Sequence, residues 1–111
     1  MLRRSFTAVL EKGSTFSGEF CTEPYEAGWA REARWFVRVL RADEQVGLHL
    51  VPQISPDGAE WCDEGSGSLR LQGVGLASMP VVNFGSWLRL RGTTTGQSGS
   101  ATVLIYLALK E

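Results

Sequence analysis

Four carboxylates (Asp57, Glu60, Asp63 and Glu64) and one thiol (Cys62) crowd the short stretch "ISPDGAEWCDEGSG". Carboxylates at that density suit calcium binding, and a thiol among charged neighbours suggests a nucleophile. The spacing fits neither. A calcium loop of the EF-hand type needs acidic side chains at alternate positions before its glycine, and here Gly58 directly follows Asp57. A reactive cysteine needs an electropositive setting, whereas Glu60, Asp63 and Glu64 are all negative. The single histidine, His49, lies between Leu48 and Leu50 without an evident partner, and a catalytic triad or a zinc site needs several convergent groups. The glycines of "GVGLAS" do not form a phosphate-binding or dinucleotide fingerprint. No catalytic, cofactor-binding or metal-ligating residue is nominated, and the expectation is a non-enzymatic protein without cofactors. Cys21 and Cys62 allow one disulfide at most, and the expected state is two free, buried thiols.

Ser55-Pro56-Asp57-Gly58 reads instead as a reverse turn. Proline pre-sets φ at the second position, and glycine leaves the turn in a left-handed conformation. Trp61, three residues on, is placed to pack the returning chain.

The elements that flank this turn have a period of two. Phe6, Ala8 and Leu10 share one face of a first strand, which Lys12-Gly13-Ser14 is expected to end. A second strand covers "TFSGEFC", and a loop with a possible helical turn covers residues 22–32. Trp35, Val37 and Val39 alternate with Phe36, Arg38 and Leu40 in the next strand. Val46, Leu48, Leu50, Pro52 and Ile54 form a face of the following one, where Pro52 suggests an edge position. Leu69, Leu71, Val74 and Leu76, then Leu88 and Leu90 opposite Trp87, Arg89 and Arg91, continue the pattern; "TTTGQSGS" reads as a polar loop. These features predict an all-β fold: one antiparallel β-sandwich of seven or eight strands, jelly-roll-like, spanning residues 1–111 as a single domain.

The last strand, "ATVLIYLALKE", is apolar on both faces. Ala101, Val103, Ile105, Leu107 and Leu109 form one face, and Leu104, Tyr106 and Ala108 populate the other with Thr102. A strand with one wet face should alternate with polar residues, so the second face needs a cover. Either the 22–32 loop supplies it, through Tyr25 and Trp29, or another subunit does. The expected oligomer contact comprises Phe36, Arg38, Leu40, Leu104 and Tyr106, with Arg38, Arg89 and Arg91 available to meet carboxylates of a neighbour.

A net charge of −1 argues against a nucleic-acid partner. No stretch is long enough to cross a membrane. "MLRRSFTAVL" begins like a signal peptide, but Glu11 and Lys12 cut its apolar run short. The expected location is the cytoplasm, or a particle assembled there.

The motif S-x-D-G-x-x-W at Ser55–Trp61 resembles a hairpin of discoidin-like (F5/8 type C) β-sandwiches, and is similar to the Asp-box of sialidases with one residue fewer. Together with "WLRLRG" and "GQSGSATVLIYLAL", it also resembles small phage structural β-sandwich proteins over the second half of the chain. The phage-type resemblance implies a structural or assembly subunit that forms a symmetric homo-oligomer, a trimer or larger, with itself or other structural proteins as partners. The discoidin-type resemblance implies a ligand-binding module. In that alternative, Trp29, Trp35, Trp61 and Trp87 supply aromatic platforms for a glycan.

Overall fold

The computed structural model describes residues 3–96 and 99–111. Ten strands form among them: β1 (Ser5–Phe16), β2 (Glu19–Cys21), β3 (Tyr25–Glu26), β4 (Glu32–Arg41), β5 (Gly47–Ser55), β6 (Cys62–Asp63), β7 (Leu69–Gln72), β8 (Gly75–Val81), β9 (Trp87–Thr95) and β10 (Ala101–Lys110). Sheet I has the order β1-β10-β4-β8. Sheet II has β9 and β5 at its centre, with β2 and β3 together along one side and β6 and β7 together along the other.

Each of those two pairs occupies one strand's place, so the sandwich has eight strand positions. All pairings are antiparallel. The chain alternates between sheets at every connection except the one from β5 to β6 and β7. β1 pairs with β10, β2 and β3 with β9, β4 with β8, and β5 with β6 and β7. That is a long antiparallel ribbon rolled upon itself, the jelly-roll arrangement.

Alternation in the sequence places the core. Trp35, Val37 and Val39 of β4 and Val103, Ile105, Leu107 and Leu109 of β10 point inward from sheet I, and Leu48, Leu50, Leu88 and Leu90 meet them from sheet II. All are essentially withdrawn from solvent. Close packing also fixes small residues. A Cβ at Gly92 of β9 would overlap the ring of Phe20, which stacks on Phe16 with centroids 3.9 Å apart. Gly92→Ala is expected to cost roughly 1–3 kcal/mol through overpacking, seen as a lower urea midpoint at unchanged slope.

Several local expectations need correction. Lys12-Gly13-Ser14 does not end β1. Gly13, at φ 79°, is an extra residue in the pairing with β10, and the strand runs on to Phe16. The chain turns instead at Ser17-Gly18, where Gly18 takes φ 85°, so "TFSGEFC" is divided between β1 and β2. Pro52 is not on an edge, because β5 has neighbours on both sides. Its ring is tolerated for a local reason. The Pro52 carbonyl accepts from Glu64 N at 2.9 Å, so its nitrogen also faces that side, where β6 has ended and β7 has not begun. Residues 22–32 contain the short strand β3, followed by a turn closed by Ala30 N donating to Ala27 O at 3.0 Å. Val74 and Leu76 are exposed, because Gly73 at φ 66° sends the chain across to sheet I, and β8 presents Ala77, Met79 and Val81 inward instead. The polar loop expected at 93–100 begins later, since Thr93–Thr95 belong to β9; residues 97 and 98 lie outside the described residues.

Candidate functional site

The acidic stretch organises a turn. Ser55 Oγ, fully buried, accepts from Gly58 N at 2.8 Å and from Asp57 N at 3.2 Å, and lies 3.1 Å from the Asp57 carboxylate to which it donates. Asp57 Oδ1 accepts in turn from Ala59 N at 2.9 Å and Glu60 N at 3.1 Å. Gly58 has the expected left-handed φ, 81°, and rests against the Trp87 indole. The other carboxylates have separate engagements: Asp63 accepts from Gln53 at 3.0 Å, and Glu64 accepts from the Ser66 backbone at 2.9 Å. The hydrogen bonds from Ala59, Glu60 and Ser55 hold the Asp57 carboxyl below its ordinary value of 3.8.

A carboxyl held low when folded adds stability above its ordinary range, and loses it as pH falls through the lowered value. The urea midpoint of Asp57→Asn should therefore lie below that of the wild type at neutral pH. The gap should close as pH drops from about 5 towards about 2. A gap independent of pH would contradict this account of the turn.

The tryptophans separate into different settings. Trp35 is in the core with 0% exposure, so it offers no platform to a ligand; it drops out of the expected set because it sits on the inward face of a central strand. Trp61 is half-buried on the outer side of sheet II, with the Arg89 guanidinium 4.3 Å from its ring centroid. Arg89 donates to Gln53 Oε1 at 2.8 Å and Gln53 donates to Asp63, a continuous polar chain across β9, β5 and β6. Trp87 is half-buried beneath Gly58. Trp29 packs against the core edge, with Arg4 at 4.7 Å from its ring. Arg4 also pairs with Glu111 at 3.2 Å, and Phe6, Tyr25 and Trp29 line a cleft of about 420 Å³ beside it. His49 lies on the outer side of sheet II opposite Thr93 and Arg70. Cys21 and Cys62 are unpaired and exposed, not buried as expected, because the short flanking strands β2 and β6 turn them outward.

The five residues expected at a subunit contact share the outer face of sheet I. Tyr106 is directly opposite Phe36 on β4 and Val9 on β1, and Leu104 is opposite Arg38 on β4 and Lys12 on β1. Leu40 is an extra residue where the β4–β10 register shifts, and it too is exposed. Val9 at 50% exposure and Leu76 at 65% extend the apolar surface to both edges, and sequence reasoning missed both in this role. Val9 could have been found from its alternation with Ala8, whereas Leu76 needed the pairing with Arg38. The 22–32 loop does not cover this face. Tyr25 pairs with Leu88 in sheet II, and Trp29 packs on the core. Beside Phe36 and Ala108, a shallow depression of about 300 Å³ runs to Pro80 and Val82.

This fold is shared with proteins of phage origin. The chain superposes over 94% of its length on 36% of the PBSX exported protein XepA, with TM-score 0.69 and 11% identity. It matches the SPBc2 prophage-derived protein YomS over its whole length and 96% of that chain, with TM-score 0.64 and 7% identity. It also matches the carbohydrate-binding module TmCBM61, solved with β-1,4-galactotriose, over 95% of this chain and 86% of that one, with TM-score 0.50 and 13% identity. The chain thus spans about a third of XepA and nearly all of YomS. No protein-family model matches, and no curated protein matches in sequence. The expected likeness to phage-type and ligand-binding β-sandwiches holds at the level of fold.

Proposed function

We propose that the protein is a non-enzymatic assembly subunit of phage type that forms a homo-oligomer through the outer face of sheet I. The observation that carries this reading is the row Val9–Tyr106–Phe36, continued by Leu104 and Leu76 and left uncovered by the protein's own described residues. Apolar side chains concentrated on one sheet face gain stability only when another surface removes them from water. Phe36, Arg38, Leu40, Leu104 and Tyr106 are the contact residues. The partner is a further copy of the chain, in a trimer or larger assembly, and the setting is the cytoplasm or a particle built there. No helix among the described residues is long and apolar enough to cross a membrane. The experiment that tests the reading places a charge at Tyr106 and measures whether a folded single chain results.

A second reading, a glycan-binding module, is favoured by one observation: Trp29, Tyr25 and Phe6 line an open cleft with an arginine at its rim. Indole faces stack on sugar rings. Backbone amide shifts around Trp29 or Trp61 on titration with a panel of oligosaccharides would support it, and unmoved spectra would remove it.

A further inference from the structure

The outer face of sheet I is not only apolar. Lys12, Arg34, Arg38, Arg41 and Lys110 lie on it in register with outward-facing residues, and Glu32 is the carboxylate that accompanies them. Among the described residues, none of these cations has a carboxylate within ion-pair distance; the Arg34 guanidinium donates to Ser78 Oγ at 2.9 Å. Two copies meeting through the same face would bring two basic surfaces together, and like charges brought together oppose such pairing.

The complementary surface lies on the other sheet. Residues 54–69 hold Asp57, Glu60, Asp63 and Glu64 and no lysine or arginine. This segment contains the β5–β6 turn and β6, and lies along the edge of sheet II away from β9. Trp61, half-buried, stands among these four carboxylates, with the Arg89 guanidinium 4.3 Å from its ring centroid as a cation beside them. The two surfaces belong to opposite sheets of the sandwich, so the basic face of one copy can reach the acidic segment only of another.

We infer that the subunit contact is heterologous: the basic, apolar outer face of sheet I in one copy docks on the acidic segment around Trp61 in the next. This rests on the assembly reading above and adds the geometry of the contact. A head-to-tail contact of this kind closes into a ring when its rotation permits. It also weakens with salt, because exposed charges are screened.

Two double variants test the inference by sedimentation. Arg34→Glu/Arg38→Glu removes the basic surface, and Glu60→Lys/Glu64→Lys removes the acidic one. Arg34, Arg38 and Glu60 are exposed and Glu64 is half-buried, and circular dichroism checks each fold. Each variant alone should sediment as one 12.2 kDa chain. An equimolar mixture should give a species larger than one chain, since the intact acidic segment of the first meets the intact basic face of the second, and the introduced glutamates of the first are complementary to the introduced lysines of the second. If the wild type assembles but Glu60→Lys/Glu64→Lys keeps the wild-type mass, the heterologous contact is wrong while the assembly reading stands. A mixture that stays at one chain also overturns it. A wild type that is itself one chain removes the assembly reading and this inference together. Binding of a labelled oligothymidine that Arg34→Glu/Arg38→Glu abolishes, in such a single-chain wild type, would assign the face to nucleic acid.

Discussion

Tyr106→Asp should convert the assembly to single chains at micromolar concentration while leaving the circular dichroism of the sandwich intact. Tyr106 sits mid-face, with Phe36 and Val9 directly across on its two neighbouring strands. A carboxylate there enters the most apolar part of the contact, with no cation directly opposite it. Burying an uncompensated charge costs about 3–5 kcal/mol, and each 1.4 kcal/mol is about tenfold in affinity, so the dissociation constant should rise by roughly 10²–10³ or more. Leu104→Asp should act in the same direction with a smaller effect, because Arg38 and Lys12 lie directly opposite it and can partly neutralise the new charge. The order of the two variants is itself informative. It follows from the pairing register and not from hydrophobicity, which would assign the larger loss to leucine. The monomer should remain folded in both cases, since these side chains point away from the core and are half-exposed.

Trp35→Ala is the substitution expected to damage the fold most. Trp35 has 0% exposure at the centre of β4, between Leu107 of β10 and Met79 of β8. Truncating a buried indole typically costs about 3–5 kcal/mol, combining lost transfer energy with a cavity. That is a large share of the roughly 5–15 kcal/mol by which domains are stable. The Trp35 Nε1 donor has no partner among the described residues, and a buried unmet donor costs about 1–3 kcal/mol. Trp35→Phe removes that donor and keeps most of the apolar ring, so it should lose less than half as much stability as Trp35→Ala. Urea unfolding of both variants separates the cavity cost from the hydrogen-bond cost. Equal losses would contradict that division.

The sequence was most legible where burial is one-sided. Alternation identified the inward faces of β4, β5 and β9, because a sheet with a packed face and a wet face writes its geometry into every second residue. The Ser55–Gly58 turn was legible for a different reason: proline and glycine each answer a specific backbone requirement, and Ser55 and Asp57 supply the local acceptors. Glycine was ambiguous elsewhere. Gly13 and Gly18 both take positive φ, yet one inserts a residue into a continuing strand and the other ends it. The difference lies in whether β10 continues as a partner, which no local pattern shows. Strand β8 was obscured by its own composition, since small residues and Pro80 on an edge give a weak alternation. Pro52 misled for a related reason. Its tolerance depends on the gap between β6 and β7, a long-range feature.

The candidate contact face followed from one anomaly, a final strand without polar alternation. Its residues Leu104 and Tyr106 were visible in the sequence, as were Phe36 and Arg38, but their union into one surface required the β10–β4 register. The separation of a basic face from an acidic segment was invisible from a net charge of −1, because cations on sheet I and carboxylates of residues 54–69 nearly cancel in the total. Fold assignment separates these two groups in space, while Arg70, Arg89 and Arg91 accompany the acidic segment on sheet II.

The measurement that bears most directly on assembly is the native mass of the wild-type protein by light scattering at micromolar concentration and low salt. The outer face of sheet I predicts an integral multiple of 12.2 kDa, three chains or more. A single mass of one chain across the accessible concentration range would contradict it.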